Sequence, residues 1–484
     1  MNALRRSSVL ALAAALFAAG CASTHGLKPE SAMRSADDLA SAKSLASTEV
    51  HGDGWPTDAW WEAYADPQLN ALERAALAGS PTLEVAAART RVALAAAGIA
   101  DASRYPAVNA DASITRERYP ANSLIPPPYA GEWSTYSALE ATLSWELDIW
   151  GRNRAAYHAA VGDSRAAAAD DYAARLALAA AVAQAYVELS REYAQLDVAQ
   201  AALHQREQIL DLTRQRNAAG LDSRLELRQT ETTLPVTREQ IAQLEEDIAR
   251  TRHALAALMG AGPDRGLAIE RPTPGTAPAL ALPTVLPADL IGRRPDVAAR
   301  RWRAEAAAQR IDVARADFYP NVNLTAVAGF QLLGPGSLLA APNRELGAGP
   351  ALSLPLFDAG RRRATLAGRD AEFDIAVNEY NQTLADALRE VADTLAAARS
   401  ISVQRGEQAL ALGTARDAYD LAVLRYREGV GNYLQVLATE TELLRQQSLD
   451  ADLQARAFSN SVDLARALGG GYQPDTPRTA AVVR

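Results

Sequence analysis

The chain has 484 residues, of which 49% are hydrophobic and 22% are charged, with 24 prolines, 29 glycines and one cysteine. This composition excludes an intrinsically disordered or collagen-like chain. The formal charge of -9 argues against a nucleic-acid-binding protein, which would carry a basic surface. A single cysteine allows no internal disulfide and no structural zinc site with several thiolate ligands, so packing must hold the fold.

The first 20 residues have the pattern of a secretory signal peptide. Two arginines precede the apolar run 9–19, which is too short for a membrane-spanning helix, since that takes about 20 residues. Residues 18–21 (AAGC) resemble a bacterial lipobox, so we predict lipid attachment at Cys21. With Ala22 next to it, the sorting rule for lipoproteins implies the outer membrane. The alternative is cleavage elsewhere, with Cys21 left as an unmodified thiol.

One sequence pattern occurs twice. YPAVN at 105–109 returns as YPNVN at 319–323, an offset of 214, and the later Gly220-Leu221 returns as Gly429-Val430, an offset of 209. The difference falls in the turn-rich segment 125–131 of the first half. We therefore predict a duplicated unit. Its boundaries are a lipoprotein signal peptide at 1–20, a lipidated N-terminal tail at 21–54, a first repeat at 55–265, a second repeat at 266–468 and a flexible C-terminal tail at 469–484.

Four segments alternate between apolar and polar residues, which predicts β-strands. In the second of them Leu139, Ala141, Leu143 and Trp145 share one face. Each segment is close to the 9 to 11 residues that a tilted membrane strand requires. Alternation alone suits a soluble, half-buried sheet equally well, and the targeting signals favour the membrane. The predicted strands lie at about 105–116, 135–148, 320–333 and 346–357.

Two long segments without proline, 152–217 and 361–428, are rich in strong helix formers. At about 1.5 Å per residue, each would extend roughly 95 to 100 Å. Each is followed by a glycine turn, at Gly220 or Gly429, which suits a left-handed helix end, and a helical pattern then resumes. The sequence predicts two helical hairpins with tips near 220 and 429. The fold class is therefore mixed and mainly α, with a duplicated strand-strand-helix-helix unit.

Four strands cannot close a barrel on their own, because small barrels need about eight. Unpaired strand edges are not tolerated in lipid, where their backbone groups have no partners. If the strands enter a membrane, several chains must therefore pool them. A dimer would supply eight strands and a trimer twelve, and these observations do not choose between the two.

Several motifs resemble the outer-membrane efflux lipoproteins of the NodT type, which are relatives of TolC. They are Trp60-Trp61 with DPQLNAL at 66–72, LPADL at 286–290 with RRPDV at 293–297, FYP at 318–320 and YREGV at 426–430. The resemblance covers the chain from about Trp55 to Leu468. It implies a homotrimer, in which a 12-stranded β-barrel in the outer membrane continues into a 12-helix α-barrel in the periplasm. It also implies the exit duct of a tripartite efflux pump, with a periplasmic adaptor protein and an inner-membrane RND-type transporter as partners.

The resemblance places the two glycine turns at the periplasmic end, where an adaptor docks and the tube closes. Family members often carry aspartates after the second turn, but here Gln435 and Ala438 occupy those positions. We therefore expect a more apolar plug from Tyr433 and Leu434, the alternative being that these are simply solvated helix ends. The implied adaptor contacts are Arg216, Gly220, Leu221, Arg425, Gly429 and Val430. The implied gate residues are Glu226, Tyr426, Tyr433, Leu434 and Gln435.

No motif indicates an enzyme. The five histidines are widely separated, with no HExxH spacing, and no lysine follows Lys43, so a phosphate-binding loop is absent. We predict no catalytic residues, no metal site and no cofactor. Two other functions stay open: a lipid-anchored coiled-coil protein with a structural or adhesive role, and a type I protein-secretion duct.

Overall fold

The computed structural model describes residues 24–45, 55–122, 124–273 and 292–473. The predicted signal peptide, the predicted lipid site Cys21 and the LPADL motif lie outside the described residues. The chain divides into two units. The sheet unit contains the described residues of 24–33, 89–167 and 299–381, and the hairpin unit contains the others.

The described residues are mainly helical, with one small sheet. Short helical turns are left without labels here. The helices are α1 (Pro67–Gly79), α2 (Pro81–Ala102), α3 (Arg152–Ala218), α4 (Arg224–Leu258), α5 (Pro295–Ala316), α6 (Arg361–Arg427) and α7 (Tyr433–Ala467). The strands are β1 (Ala107–Arg118), β2 (Trp133–Glu146), β3 (Asn321–Leu333) and β4 (Arg344–Ser353). Within these residues no helix has both the length and the apolar character needed to cross a bilayer.

The four strands of the sheet unit form one antiparallel sheet in the order β1-β2-β3-β4. The strand β4 ends at Ser353, although the alternating pattern predicts a strand as far as 357. Ser353 pairs with Asn321, the first residue of β3, which follows Pro320. Because proline has no backbone N–H to donate, the ladder stops at this point.

An aspartate precedes each of the two long helices in the sheet unit. The carboxylate of Asp148 accepts hydrogen bonds from the amides of Asn153 (3.0 Å) and Arg154 (2.8 Å). Asp358 accepts the amide of Arg362 (3.2 Å) and the side chain of the same arginine (2.7 Å). The hydrogen bond from Arg362 holds the pKa of Asp358 below its ordinary value. These contacts supply partners for helix N-terminal amides that would otherwise have none.

The described start of the predicted N-terminal tail, residues 24–33, lies along α6. The carboxylate of Asp374 accepts the amides of Glu30 (3.0 Å) and Ser31 (2.7 Å), and the carbonyl of His25 accepts a hydrogen bond from Arg363 (3.2 Å). Leu27 packs against a small buried cluster with Ile311, Phe318 and Leu366. This segment is therefore fixed to the first turns of α6.

The main core lies in the hairpin unit. Tyr64 stacks on Phe458 with ring centroids 4.4 Å apart and shares a 2.8 Å hydrogen bond with Ser461. Arg294, from the RRPDV motif, is buried and pairs with Asp296 (2.7 Å) and Glu390 (2.9 Å). The motif thus joins the start of α5 to α6.

Residues 469–472 are packed, although the sequence places them in a flexible tail. Gly469, Gly470 and Gly471 all have positive φ, at 87°, 54° and 85°. A Cβ at Gly469 would overlap the carbonyl of Arg293, so the backbones approach too closely for a larger residue. Tyr472 is buried and its ring lies 5.0 Å from that of Tyr172.

Candidate functional site

One face of the sheet is apolar across all four strands. The register places Val108 opposite Leu143 and Leu139 opposite Phe330, and it confirms the shared faces that the alternation predicts. Much of this face is exposed: Ile114 is 79% exposed and Leu346 is 77% exposed. An exposed apolar surface of this size marks contact with a membrane or with another protein. The face comprises Val108, Ala110, Ala112, Ile114, Leu139, Ala141, Leu143, Trp145, Leu324, Ala326, Ala328, Phe330, Leu346, Ala348, Pro350 and Leu352.

The opposite face of the sheet is polar. Asp111 lies opposite Glu140. The side chain of Gln331 donates hydrogen bonds to Glu140 (2.8 Å) and to Glu345. A strand that is apolar on one side and polar on the other is the pattern of a transmembrane strand with a wet interior.

Both edges of the sheet are unpaired within the described residues, because β1 and β4 have one neighbour each. All twelve residues of β1 are exposed. An edge strand with free backbone groups is a template for pairing with another chain.

The two turns of the hairpin unit have the same backbone. Gly220 and Gly429 have φ values of +74° and +80°, which confirms the left-handed helix ends that the sequence predicts. The amide of Leu221 donates to the carbonyl of Arg216 (2.9 Å), and the amide of Val430 donates to that of Arg425 (3.0 Å). With the amides of both glycines also bonded, each turn is a Schellman motif.

A buried network joins the two turns. Arg216 pairs with Asp222 through two hydrogen bonds of 3.0 and 3.2 Å and also donates to the carbonyl of Tyr426 (3.0 Å). The hydroxyl of Tyr426 donates to Asp222 (2.5 Å) and lies 3.0 Å from the hydroxyl of Thr213. The guanidinium of Arg216 lies 4.5 Å from the centre of the Tyr426 ring, a cation–π contact. We call these four residues, Thr213, Arg216, Asp222 and Tyr426, the tip network.

The electrostatics of the tip network favour its observed proton positions. Burial raises the pKa of Tyr426 to about 12, and the neighbouring Asp222 acts in the same direction, so the phenol stays protonated and donates. The hydrogen bond with Asp222 raises the pKa of Arg216, which stays charged. The paired charges and the neutral phenol therefore satisfy one another at neutral pH.

A second buried contact lies further along the hairpins. Arg206 of α3 donates to Glu440 of α7 (3.0 Å) and to Thr237 of α4 (2.6 Å), so that one guanidinium joins three helices. Burial raises the pKa of Glu440, and Arg206 opposes that shift. Because Glu440 is only 5% exposed, it belongs to the packing between helices.

The residues named from the sequence fall into two groups. Tyr426 is fully buried in the tip network, and Tyr433 is buried beside it, with ring centroids 6.4 Å apart. The remaining gate residues are elsewhere: Leu434 is exposed, Gln435 is exposed, and Glu226 closes a capping box with Ser223. Of the predicted adaptor contacts, Arg216 belongs to the tip network, whereas Gly220, Leu221, Arg425, Gly429 and Val430 are exposed.

The sequence analysis missed Asp222 and Thr213. Asp222 lies six residues after Arg216, across the glycine turn, and that spacing in a Schellman turn returns the chain towards the helix it has just left. An acid directly after a glycine helix end, with an arginine one turn before it, was the signal available. Within the described residues no group of three or more His, Cys, Asp or Glu side chains is arranged to hold a metal ion.

The sequence profile of the outer membrane efflux protein family matches residues 72–261 and 286–470. The chain belongs to this family. The resemblance to TolC-like proteins is thereby confirmed. The fusaric acid resistance protein FusA of Burkholderia cepacia is 43% identical over 365 residues, which cover 74% of this chain and 68% of FusA. The multidrug resistance outer membrane protein MdtP of Escherichia coli K12 is 32% identical, over 92% of this chain and 91% of MdtP.

The fold matches that of solved outer-membrane channels. The outer membrane protein VceC of Vibrio cholerae has a TM-score of 0.82 and 38% identity, and the match covers 87% of this chain and all of the VceC chain. The mainly helical architecture with its small sheet is therefore a TolC-like one. As a family member, the chain is an outer-membrane efflux duct, and its family is one of channels rather than enzymes.

Proposed function

We propose that the chain assembles as a homotrimer, with a 12-stranded β-barrel in the outer membrane continuing into a 12-helix α-barrel in the periplasm. The observation that carries this proposal is the four-stranded sheet with one apolar face and two unpaired edges. Neighbouring chains would pair those edges, because lipid cannot supply the missing hydrogen bonds. The repeated motifs at offsets of 214 and 209 support a duplicated unit, which would give each chain two equivalent wall segments.

Native mass spectrometry of the detergent-solubilised protein tests the assembly. We expect a trimer, and a species that stays monomeric across detergents would contradict the proposal. Cysteine pairs give the second measurement. Substitutions on the outer edges of β1 and β4 should cross-link between chains, whereas Ala110→Cys with Ala141→Cys, which are opposite each other within the sheet, should bridge only within one chain.

The assembled tube would be the passive exit of a tripartite pump for small toxic molecules. An inner-membrane RND-type transporter would supply the energy, and a periplasmic adaptor would connect it to the tips. The relatives named for fusaric acid resistance and multidrug resistance support small organic cargo. Deleting the gene should raise sensitivity to such compounds. Unchanged sensitivity would favour the structural or adhesive alternative, and loss of an exported protein would favour a type I secretion duct.

Cys21 would carry the lipid. The carbonyl of His25 is held by Arg363, near the start of α6, so the four residues between Cys21 and that point allow about 14 Å of separation. Incorporation of labelled palmitate should be lost in Cys21→Ser. Equal labelling of the variant and the parent would reject this site.

The turns would serve both docking and closure. Leu221 and Val430 are 66% and 68% exposed, and such apolar side chains at equal places on both turns suit an adaptor contact. Leu221→Asp with Val430→Asp should abolish cross-linking to the adaptor and leave the trimer intact. The flanking contacts would be Arg216, Gly220, Arg425 and Gly429.

The gate would consist of Glu226, Tyr426, Tyr433, Leu434 and Gln435, with the buried tip network holding the helices closed. Tyr426→Ala with Glu226→Ala should raise the single-channel conductance in planar bilayers. Leu449→Ala, at an exposed leucine further along α7, is a control that should leave the conductance unchanged. Equal conductance of the double variant and the parent would reject the assignment.

A further inference from the structure

A cavity of about 140 Å³ lies in the hairpin unit beside the Trp60-Trp61 pair, a motif for which the transport function gives no role. Its apolar walls include both indoles, Leu77, Leu176 and Ala179. A dry cavity of roughly 150 Å³ is enough to take up benzene. The cavity therefore has room for one aromatic ring.

The polar groups of the cavity are mainly hydrogen-bond donors without acceptors. Trp60 and Trp61 are 5% and 7% exposed, and neither indole N–H has a hydrogen-bond partner among the described residues. Arg175 lines the same cavity, and no hydrogen bond or ion pair to it occurs in that part of the chain. A buried donor without a partner is costly, so this arrangement favours a ligand that accepts hydrogen bonds.

The acceptors at the rim are already engaged. The hydroxyl of Tyr172 donates to the carboxylate of Asp58 (2.5 Å) and lies 3.1 Å from the carbonyl of Gly470. Asp58 is exposed, so water screens its charge, whereas the guanidinium of Arg175 is half-buried. The group available to a ligand is therefore a cation flanked by indole N–H donors.

The walls are fixed before any ligand arrives. The two indoles meet edge to face, with ring centroids 5.8 Å apart. Gly470 and Gly471 have positive φ, and a Cβ at Gly470 would overlap the side chain of Leu176. A site whose shape is set in advance loses less conformational entropy when it binds a ligand.

We propose that this cavity binds a small aromatic carboxylate. The ring would lie between the indoles and the leucines, and the carboxylate would accept hydrogen bonds from Arg175 and from an indole N–H. Arginine presents parallel N–H groups that match a carboxylate. The proposal concerns only the hairpin unit and does not depend on the transport function.

Fluorine NMR with 4-fluorobenzoate tests the site on the purified, detergent-solubilised full-length protein. We expect saturable binding, stronger than that of 4-fluorobenzyl alcohol and of 4-fluorobenzylammonium, which have the same ring and a different charge. Arg175→Gln should weaken benzoate binding by about tenfold or more, since it removes a charge-assisted hydrogen bond, and should leave the alcohol nearly unaffected.

Two further variants give the controls. Arg74→Gln removes an exposed arginine that pairs with Glu62, and it should not change benzoate binding. Ala179→Leu fills the cavity and should abolish binding of all three probes. The proposal is overturned if benzoate fails to bind, or if it binds Arg175→Gln as tightly as the parent protein, in which case the cavity holds only water.

Discussion

The two turns of the hairpin unit share a backbone and differ in chemistry. In the first turn Arg216 is neutralised by Asp222, whereas in the second Arg425 has the corresponding place and Gly431 stands where the acid would be. The second turn instead contributes Tyr426, whose hydroxyl and ring both contact the first turn. Each turn therefore lacks what the other provides, and the contact between them is more specific than either turn could make with a copy of itself.

The caps that follow the turns differ in the same way. The first uses a capping box of Ser223 and Glu226, and the second uses Asn432, whose side chain accepts the amide of Gln435 (3.0 Å). One cap contains an ionisable group and the other does not. The predictions below use this contrast.

The largest effect is expected at Tyr426, which is fully buried. Tyr426→Ala leaves a cavity and removes both the hydroxyl and the cation–π contact, so the tip should lose about 3 to 5 kcal/mol of stability. Hydrogen–deuterium exchange over residues 209–226 and 415–440 measures this loss. Leu434→Ala, at an exposed residue of the same turn, should change exchange by less than about 0.5 kcal/mol. Equal protection in both variants would show that the tip network does not join the turns.

The paired arginines provide the next test. Arg216→Ala leaves Asp222 half-buried without its cation and should destabilise the tip by about 1.5 to 3 kcal/mol. Arg425→Ala removes an exposed arginine at the equivalent place and should change stability by less than about 0.5 kcal/mol. The same exchange experiment compares the two. Equal effects would mean that the ion pair contributes nothing beyond a solvated arginine.

A smaller effect is expected when the second turn is given the acid of the first. In Gly431→Asp the new Cβ would lie 3.0 Å from the amide nitrogen of Tyr426 and 3.1 Å from Arg425, so the turn must shift, at a cost of about 1 kcal/mol. Gly413→Ala is the control, because open space surrounds that helical glycine and alanine favours the helix. A Gly431→Asp protein as stable as the parent would show that the second turn tolerates the acid and that its absence has no steric cause.

The features that depend on local sequence were predictable. Alternation predicted the strands and their faces, and glycine after a long helical run predicted the left-handed helix ends at Gly220 and Gly429, because each signal arises from residues adjacent in the chain. The end of β4 was not predictable in this way, since it depends on where Pro320 stops the partner strand.

The contacts of the candidate site depend on residues distant in sequence. Tyr426 meets Asp222 over a separation of 204 residues, and no periodicity encodes that pairing. Tyr433 shows the same limit. As an aromatic residue after a turn it suggests a surface plug, yet it packs inside with Tyr426, because α6 and α7 bury that face. Burial of this kind follows from tertiary packing rather than from local propensity.

The smallest effect distinguishes the two caps by pH. The hydrogen bond from Ser223 holds the pKa of Glu226 below its ordinary value of 4.5. A carboxylate whose pKa is lowered by folding stabilises the folded state above that ordinary value, and the stabilisation is lost as the pH falls through the folded-state pKa. Acidification below pH 4.5 should therefore loosen the start of α4 and leave the start of α7, where Asn432 and Gln435 cannot titrate in this range, unchanged.

Exchange measured for the first turn of each helix, corrected for the intrinsic pH dependence of exchange, tests this difference. Glu226→Gln keeps a side chain of the same size and should make the first cap as insensitive to acid as the second. Parallel loosening of both helix starts in the parent protein would contradict the prediction, because it would assign the acid response to the whole tip. A response confined to α4 and abolished by Glu226→Gln would show that the two turns, alike in backbone, respond differently to the pH of the periplasm.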